Sequence, residues 1–240
     1  MIALMRFNSA RPPSRRRPEP LISTRTEKLE IRRPLRQRMN DGMRAVVAPV
    51  IRFLVRHGVG PNTVTLAGFA GSVAVCALIL ERQWLAAGFV FVAAGMMDLL
   101  DGSVARLSGR ATPFGAFLDS TLDRTAEGLV LGAIGVVLAK DGHWWALGAA
   151  FAALTASFLV SYTRARAEGL GIDSNRGGLM ARPERLVLIG AGIFFAPLGA
   201  TLQVVIFVLA GLTLLTVAQR VLFVWRATRA EANRPGGLDS

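Results

Sequence analysis

From residue 63 onward, long apolar runs alternate with short polar breaks. Six runs, near 63–80, 84–105, 114–139, 144–165, 184–199 and 201–224, reach or approach the roughly 20 residues a helix needs to cross a bilayer. The fifth is short, and Pro197 and Gly199 blur its boundary with the sixth. Ahead of the first run, LRQRMNDGMRAVVAPVIRFLVRHGVG puts apolar residues on one helical face and arginines on the other, the pattern of a helix lying in the membrane interface. The pattern predicts an all-α integral membrane protein of six transmembrane helices preceded by an amphipathic interfacial helix. Residues 36–226 read as one membrane domain. Residues 1–35 read as a flexible basic tail and 227–240 as a cytoplasmic C-terminal tail.

Composition sharpens this picture. The mean hydropathy of the 240-residue chain is +0.44, yet its formal net charge is +12. Apolar and basic residues fall in separate blocks, which argues against a nucleic-acid partner and for membrane lipids and phosphates. Arg106, Arg110, Arg164, Arg166, Arg176, Arg182 and Arg185 cluster at one set of helix ends, joined by Arg226, Arg229 and Arg234. The other set carries only Arg82 and Lys140. Positive charge marks the cytoplasmic side, so both termini are expected there, in a multi-pass protein of the cell membrane. An even number of spans requires the same. The single cysteine, Cys76, allows no disulfide within one chain and reads as a packing residue. The N-terminal apolar stretch is too short for a signal peptide.

The candidate chemistry lies in MMDLLDGSVARLSGRATPFGAFLDSTLDRTAEG. Asp98 and Asp101 are three apart near the end of the second run, and Asp119 and Asp123 four apart early in the third. Each spacing puts both carboxylates on one helical face. The turn between the two runs is short, so the helices are expected to be antiparallel neighbours with converging carboxylates. An aspartate at membrane depth costs about 2.5–3.5 kcal/mol at a helix centre, and like charges repel. Divalent cations offset both terms, and an all-oxygen set favours Mg²⁺ or Mn²⁺, with two ions expected. Capping, or pairing with Arg106 and Arg124, accounts for a single aspartate but not for four. Gly102 and Gly115 leave room for a ligand or a neighbouring helix. Arg106 is close enough in sequence to reach a bound phosphate.

The run Asp98-x-x-Asp101-Gly102-x-x-Ala105-Arg106, eight residues, then Gly115-x-x-x-Asp119-x-x-x-Asp123, resembles the signature of the CDP-alcohol phosphatidyltransferase family, with every fixed position present. The resemblance covers residues 35–226. It implies transfer of a phosphatidyl group from CDP-diacylglycerol to an alcohol, with CMP leaving. It also implies metal binding by Asp98, Asp101 and Asp119, with Asp123 binding metal or acting as the base. Asn62, Thr65 and Thr112 match positions that contact the nucleotide in relatives, although Asn62 stands where aspartate is common.

The acceptor rests on other residues. SYTRARAEGLG, ARPERLV and AQR carry Arg164, Arg166, Arg182, Arg185 and Arg220 toward the same side. Several cations suit a phosphorylated polyol better than serine or choline. The set is similar to that of the prokaryotic phosphatidylinositol-phosphate synthases, which implies inositol 3-phosphate as acceptor, held by Ser161, Arg164, Arg166, Arg182, Arg185 and Arg220. Arg164 stands where lysine is common. A sister transferase using glycerol 3-phosphate, and in a different class a membrane metal-ion transporter, are the alternatives. Family members are commonly homodimers, and the glycine-rich spans would permit such packing.

Overall fold

The computed structural model describes residues 48–172 and 178–232, and the described residues form helices and short connections without a strand. The N-terminal tail, residues 36–47 of the amphipathic stretch, Arg176 and Arg234 lie outside the described residues. Helix α1 covers 48–56. It is followed by α2 (Pro61–Leu80), α3 (Trp84–Leu107), α4 (Pro113–Lys140), α5 (Trp144–Glu168), α6 (Arg182–Phe194) and α7 (Thr201–Ala232). Pro61 and Pro113 open α2 and α4, where a missing N–H costs nothing and the fixed φ is already helical.

Among the described residues, four helices are long and apolar enough to cross a membrane: α2, α3, α5 and α7. The two other expected spans differ for separate physical reasons. Helix α4 has 28 residues, about 42 Å of helix, but Asp119, Asp123, Arg124 and Glu127 interrupt it. Helix α6 has only 13 residues, about 20 Å, short of a hydrocarbon core roughly 30 Å thick.

The principal packing pairs are α2 with α3, α2 with α4, α4 with α5, α5 with α7, and α6 with α3 and α7. Helices α3 and α4 are not among them. They are sequence neighbours, but α2 packs on both. Gly68 and Gly71 let α2 approach closely, since a Cβ at either would meet Met97 or Ala94 Cβ at 3.2 Å. The buried core of Val75, Ile79, Val130, Ile134, Leu138, Ile189, Ile206 and Leu209 lies deeper in the bundle. Phe89, Phe117, Phe151, Val187 and Phe207 are exposed, leaving an apolar outer surface.

At one end of the bundle two turns share a design. After α2, Gln83 N–H donates to Leu78 O (2.8 Å) and Arg82 N–H to Ile79 O (2.9 Å). After α4, His143 N–H donates to Leu138 O (2.9 Å) and Gly142 N–H to Ala139 O (3.0 Å). Both are Schellman terminations, whose penultimate position needs the left-handed region. Gly142 enters it without strain at φ 74°, whereas Arg82 does so at φ 58° despite its Cβ. Arg82 in turn grips Asp141 with both Nη atoms.

Arg82→Gly should therefore melt about 2–4 °C above Arg82→Ala, because both lose the ion pair and only glycine relieves the backbone. Thermal denaturation of the two variants in one detergent checks the order. Donation from Arg82 holds the Asp141 carboxyl below its usual range. The sign follows: the pair contributes above the unfolded-state value near 3.9 and is lost as pH falls through the lower folded value. A surface pair contributes little, so the parent should show no stability change between about pH 5 and 8 from this source.

Candidate active site

The short α3–α4 connection is built from Ser108, Gly109 at φ 65° and the cap Thr112. Thr112 Oγ1 accepts from Gly115 N–H (3.0 Å) and so fixes the start of α4. Above this turn α2, α3 and α4 together line a cavity of about 210 Å³. All seven residues expected to bind the CDP-lipid line it. Asn62 and Thr65 come from α2, Gly102, Ala105 and Arg106 from α3, and Thr112 and Gly115 from the turn and α4. A Cβ on Gly115 would stand 3.1 Å from both Asn62 Oδ1 and Thr112 Oγ1, so a side chain here would have to push these two groups aside. Arg110, read from sequence only as an orientation charge, also faces the cavity, and its Nη1 donates to Gly58 O at 3.4 Å.

The four carboxylates stand as two pairs, each drawn from both helices. Asp101 and Asp119 share the cavity wall. Asp101 is 4% exposed and takes a hydrogen bond from Thr65 Oγ1 (2.9 Å) and another from Gly102 N–H. Asp98 and Asp123 are joined by Arg182, at the first turn of α6. Its Nη2 donates to Asp98 Oδ2 (2.7 Å) and its Nη1 pairs with Asp123. The Arg182 Nε is buried without a hydrogen-bond partner among the described residues.

Hard carboxylate oxygens suit divalent ions in kind. Orientation of Asp101 by Thr65 is the kind of outer support that metal ligands receive. Among the described residues no group of three or more His, Cys, Asp and Glu side chains closes on one point, so the donors are offered pairwise.

The residues expected around an acceptor are spread over three helices. Ser161 is half-buried, and Arg164 and Arg166 are exposed near the end of α5, where Arg164 Nε pairs with Glu168 Oε1 (2.8 Å). Arg220 is 7% exposed within α7 and its Nη1 donates to Val160 O (2.8 Å). Arg182 reaches the acidic cluster directly. Arg185 differs from the expectation of a pocket residue. It is sealed at 1% exposure, with Nε and Nη2 on Glu127 (2.7 and 3.0 Å) and Nη1 toward Met180 O (3.4 Å). Sequence reading passed over Glu127. Its position one turn beyond Asp123, in an otherwise apolar stretch, was the available signal.

A family model described as CDP-alcohol phosphatidyltransferase matches residues 59–229. The chain is 38% identical over 198 residues to a phosphatidylinositol phosphate synthase of Streptomyces avermitilis, covering 78% of this chain and 81% of that one. It is also similar to crystal structures of the Mycobacterium tuberculosis phosphatidylinositol phosphate synthase. The structure with CDP-DAG bound superposes with a TM-score of 0.70 at 31% identity, covering 82% of this chain and 98% of that one. The complex with manganese and citrate gives 0.68 at 32% identity, covering 80% and 91%.

Proposed function

From the premise that this chain belongs to the CDP-alcohol phosphatidyltransferase family, we propose that it transfers the phosphatidyl group of CDP-diacylglycerol to a hydroxyl of inositol 3-phosphate, giving phosphatidylinositol phosphate and CMP. It is a multi-pass membrane enzyme. The observation that carries the choice of acceptor is Arg182. A planar guanidinium at the acidic cluster suits an acceptor bearing phosphate better than a neutral or cationic alcohol.

In this reading the cytidine diphosphate lies in the cavity lined by α2, α3 and α4, against Asn62, Thr65, Gly102, Ala105, Arg106, Thr112 and Gly115. Asp98, Asp101, Asp119 and Asp123 would hold two divalent ions, Mg²⁺ with Mn²⁺ as a substitute. Bound there, they supply neutralisation of the pyrophosphate and of the charge that grows on departing CMP. Asp123 accepts the proton of the acceptor hydroxyl. The acceptor oxygen forms its bond to the phosphatidyl phosphorus as the bond to the CMP oxygen breaks. Ser161, Arg164, Arg166, Arg182 and Arg220 hold the acceptor's phosphate, and Arg185 supports that set from inside the protein. The remaining features belong to the same reading: α4, and α6 with the turn after it, complete six crossings, α1 lies in the interface, both termini and the site face the cytoplasm, and the enzyme is a homodimer.

The test uses purified protein in detergent with CDP-diacylglycerol and Mg²⁺. CMP should appear on adding inositol phosphate, and release only with glycerol 3-phosphate rejects this acceptor. A second measurement concerns Arg220. Its removal should raise the acceptor KM about 10-fold, the scale of one charged hydrogen bond, with little change in the KM for CDP-diacylglycerol. An unchanged acceptor KM takes Arg220 out of the pocket.

A further inference from the structure

The acidic face of α4 does not end at Asp123. One turn further along lies Glu127, 4% exposed, which the proposed reaction does not use. Its carboxylate receives two parallel hydrogen bonds from Arg185, at 2.7 and 3.0 Å. Arg185 follows Arg182 by one turn of α6. The two helices are thus joined by two rungs, Asp123 with Arg182 and Glu127 with Arg185. Helices α4 and α6 are not a principal packing pair, so these side chains carry much of the register between them.

We propose that Glu127, acting through Arg185, is a positioning residue that sets where Arg182 stands at the acidic cluster and thereby governs recognition of the acceptor's phosphate. This rests on the reading of Arg182 as a phosphate ligand. The geometry suits the task. A two-point carboxylate–guanidinium contact fixes the rotation of the fork as well as its distance. Helix α6 is short, and the segment leading into it is itself anchored on α7, with Met180 N–H donating to Thr216 Oγ1 (3.0 Å) and Leu179 N–H to Gln219 Oε1 (3.1 Å). Arg185 Nη1 reaches back to the carbonyl of the same Met180. Every donor of the lower rung therefore acts on the start of α6, where Arg182 sits. Packing alone does not call for a buried ion pair, since apolar side chains of similar volume fill such a site as well or better.

Glu127→Gln and the double variant Glu127→Met with Arg185→Met are compared with the parent as full-length proteins in detergent. The double variant leaves no unpaired buried charge. Both variants should raise the acceptor KM about 10-fold or more, the cost of misplacing a binding group by a fraction of an ångström to an ångström, while the KM for CDP-diacylglycerol stays within about twofold. A folded double variant with parental acceptor KM overturns the proposal. So does a parallel rise in both KM values with a lowered melting temperature, which marks packing alone. If the double variant does not fold, Glu127→Gln decides in the same way by its acceptor KM. The acceptor used is whichever phosphorylated alcohol the parent turns over, so rejection of inositol phosphate leaves this test intact.

Discussion

Asp123→Asn should leave a folded protein that still binds CDP-diacylglycerol and turns over about 10³-fold more slowly than the parent. The exchange keeps the shape, removes the charge and replaces one accepting oxygen with a donating NH2. General-base assistance contributes roughly 10²–10⁴ in rate, and a lost carboxylate also weakens any cation the cluster holds. Arg182 would keep Asp98 as its partner, so the α6 start need not move. Initial rates of CMP release at saturating donor and acceptor measure the effect, with the melting temperature as the check on folding. A rate within tenfold of the parent would remove Asp123 as the base.

Arg182→Ala should act in two opposite directions. The acceptor KM is expected to rise about 30-fold or more, since a charged fork contributes roughly 1.5–3 kcal/mol per hydrogen bond. The Mg²⁺ concentration giving half-maximal rate should fall, because the cation shared by Asp98 and Asp123 is gone and the two carboxylates face a metal without a competitor. Arg182→Lys should restore part of the acceptor affinity, retaining charge but not the planar fork. Steady-state kinetics across acceptor and Mg²⁺ concentrations separate the two effects. If both constants rise together, Arg182 serves the fold and not the acceptor.

What the sequence discloses here follows from what periodicity and spacing can encode. Asp98, Asp101, Asp119 and Asp123 announce themselves because charge inside apolar runs is costly and because spacings of three and four fix a common face. Asn62, Thr65 and Gly115 were legible through motif spacing, and the cavity that gathers them does so across three elements. Periodicity does not say which helices pack together. The expectation of α3 and α4 as direct neighbours therefore missed α2 packing on both, and on the α3 side that packing uses Gly68 and Gly71 to admit a close approach. Nor does it say which of two arginines one turn apart is exposed. Arg182 and Arg185 look alike in RPER, and only the position of Glu127 on another helix separates them. Arg82 in a left-handed turn is invisible for a different reason: its cost is backbone strain, which composition does not record.

The cavity shared by α2, α3 and α4 has a consequence for how substrate arrives. Phe114 and Phe117, on either side of the cavity-lining Gly115 and Ala116, are exposed apolar side chains. A lipid-linked donor can keep its acyl chains among its neighbours while only its headgroup enters the cavity. Encounter then takes place by diffusion in two dimensions. The concentration that governs donor saturation is a mole fraction in the membrane or micelle, and diluting the donor with inert detergent slows the enzyme even when the amount of donor per litre is unchanged.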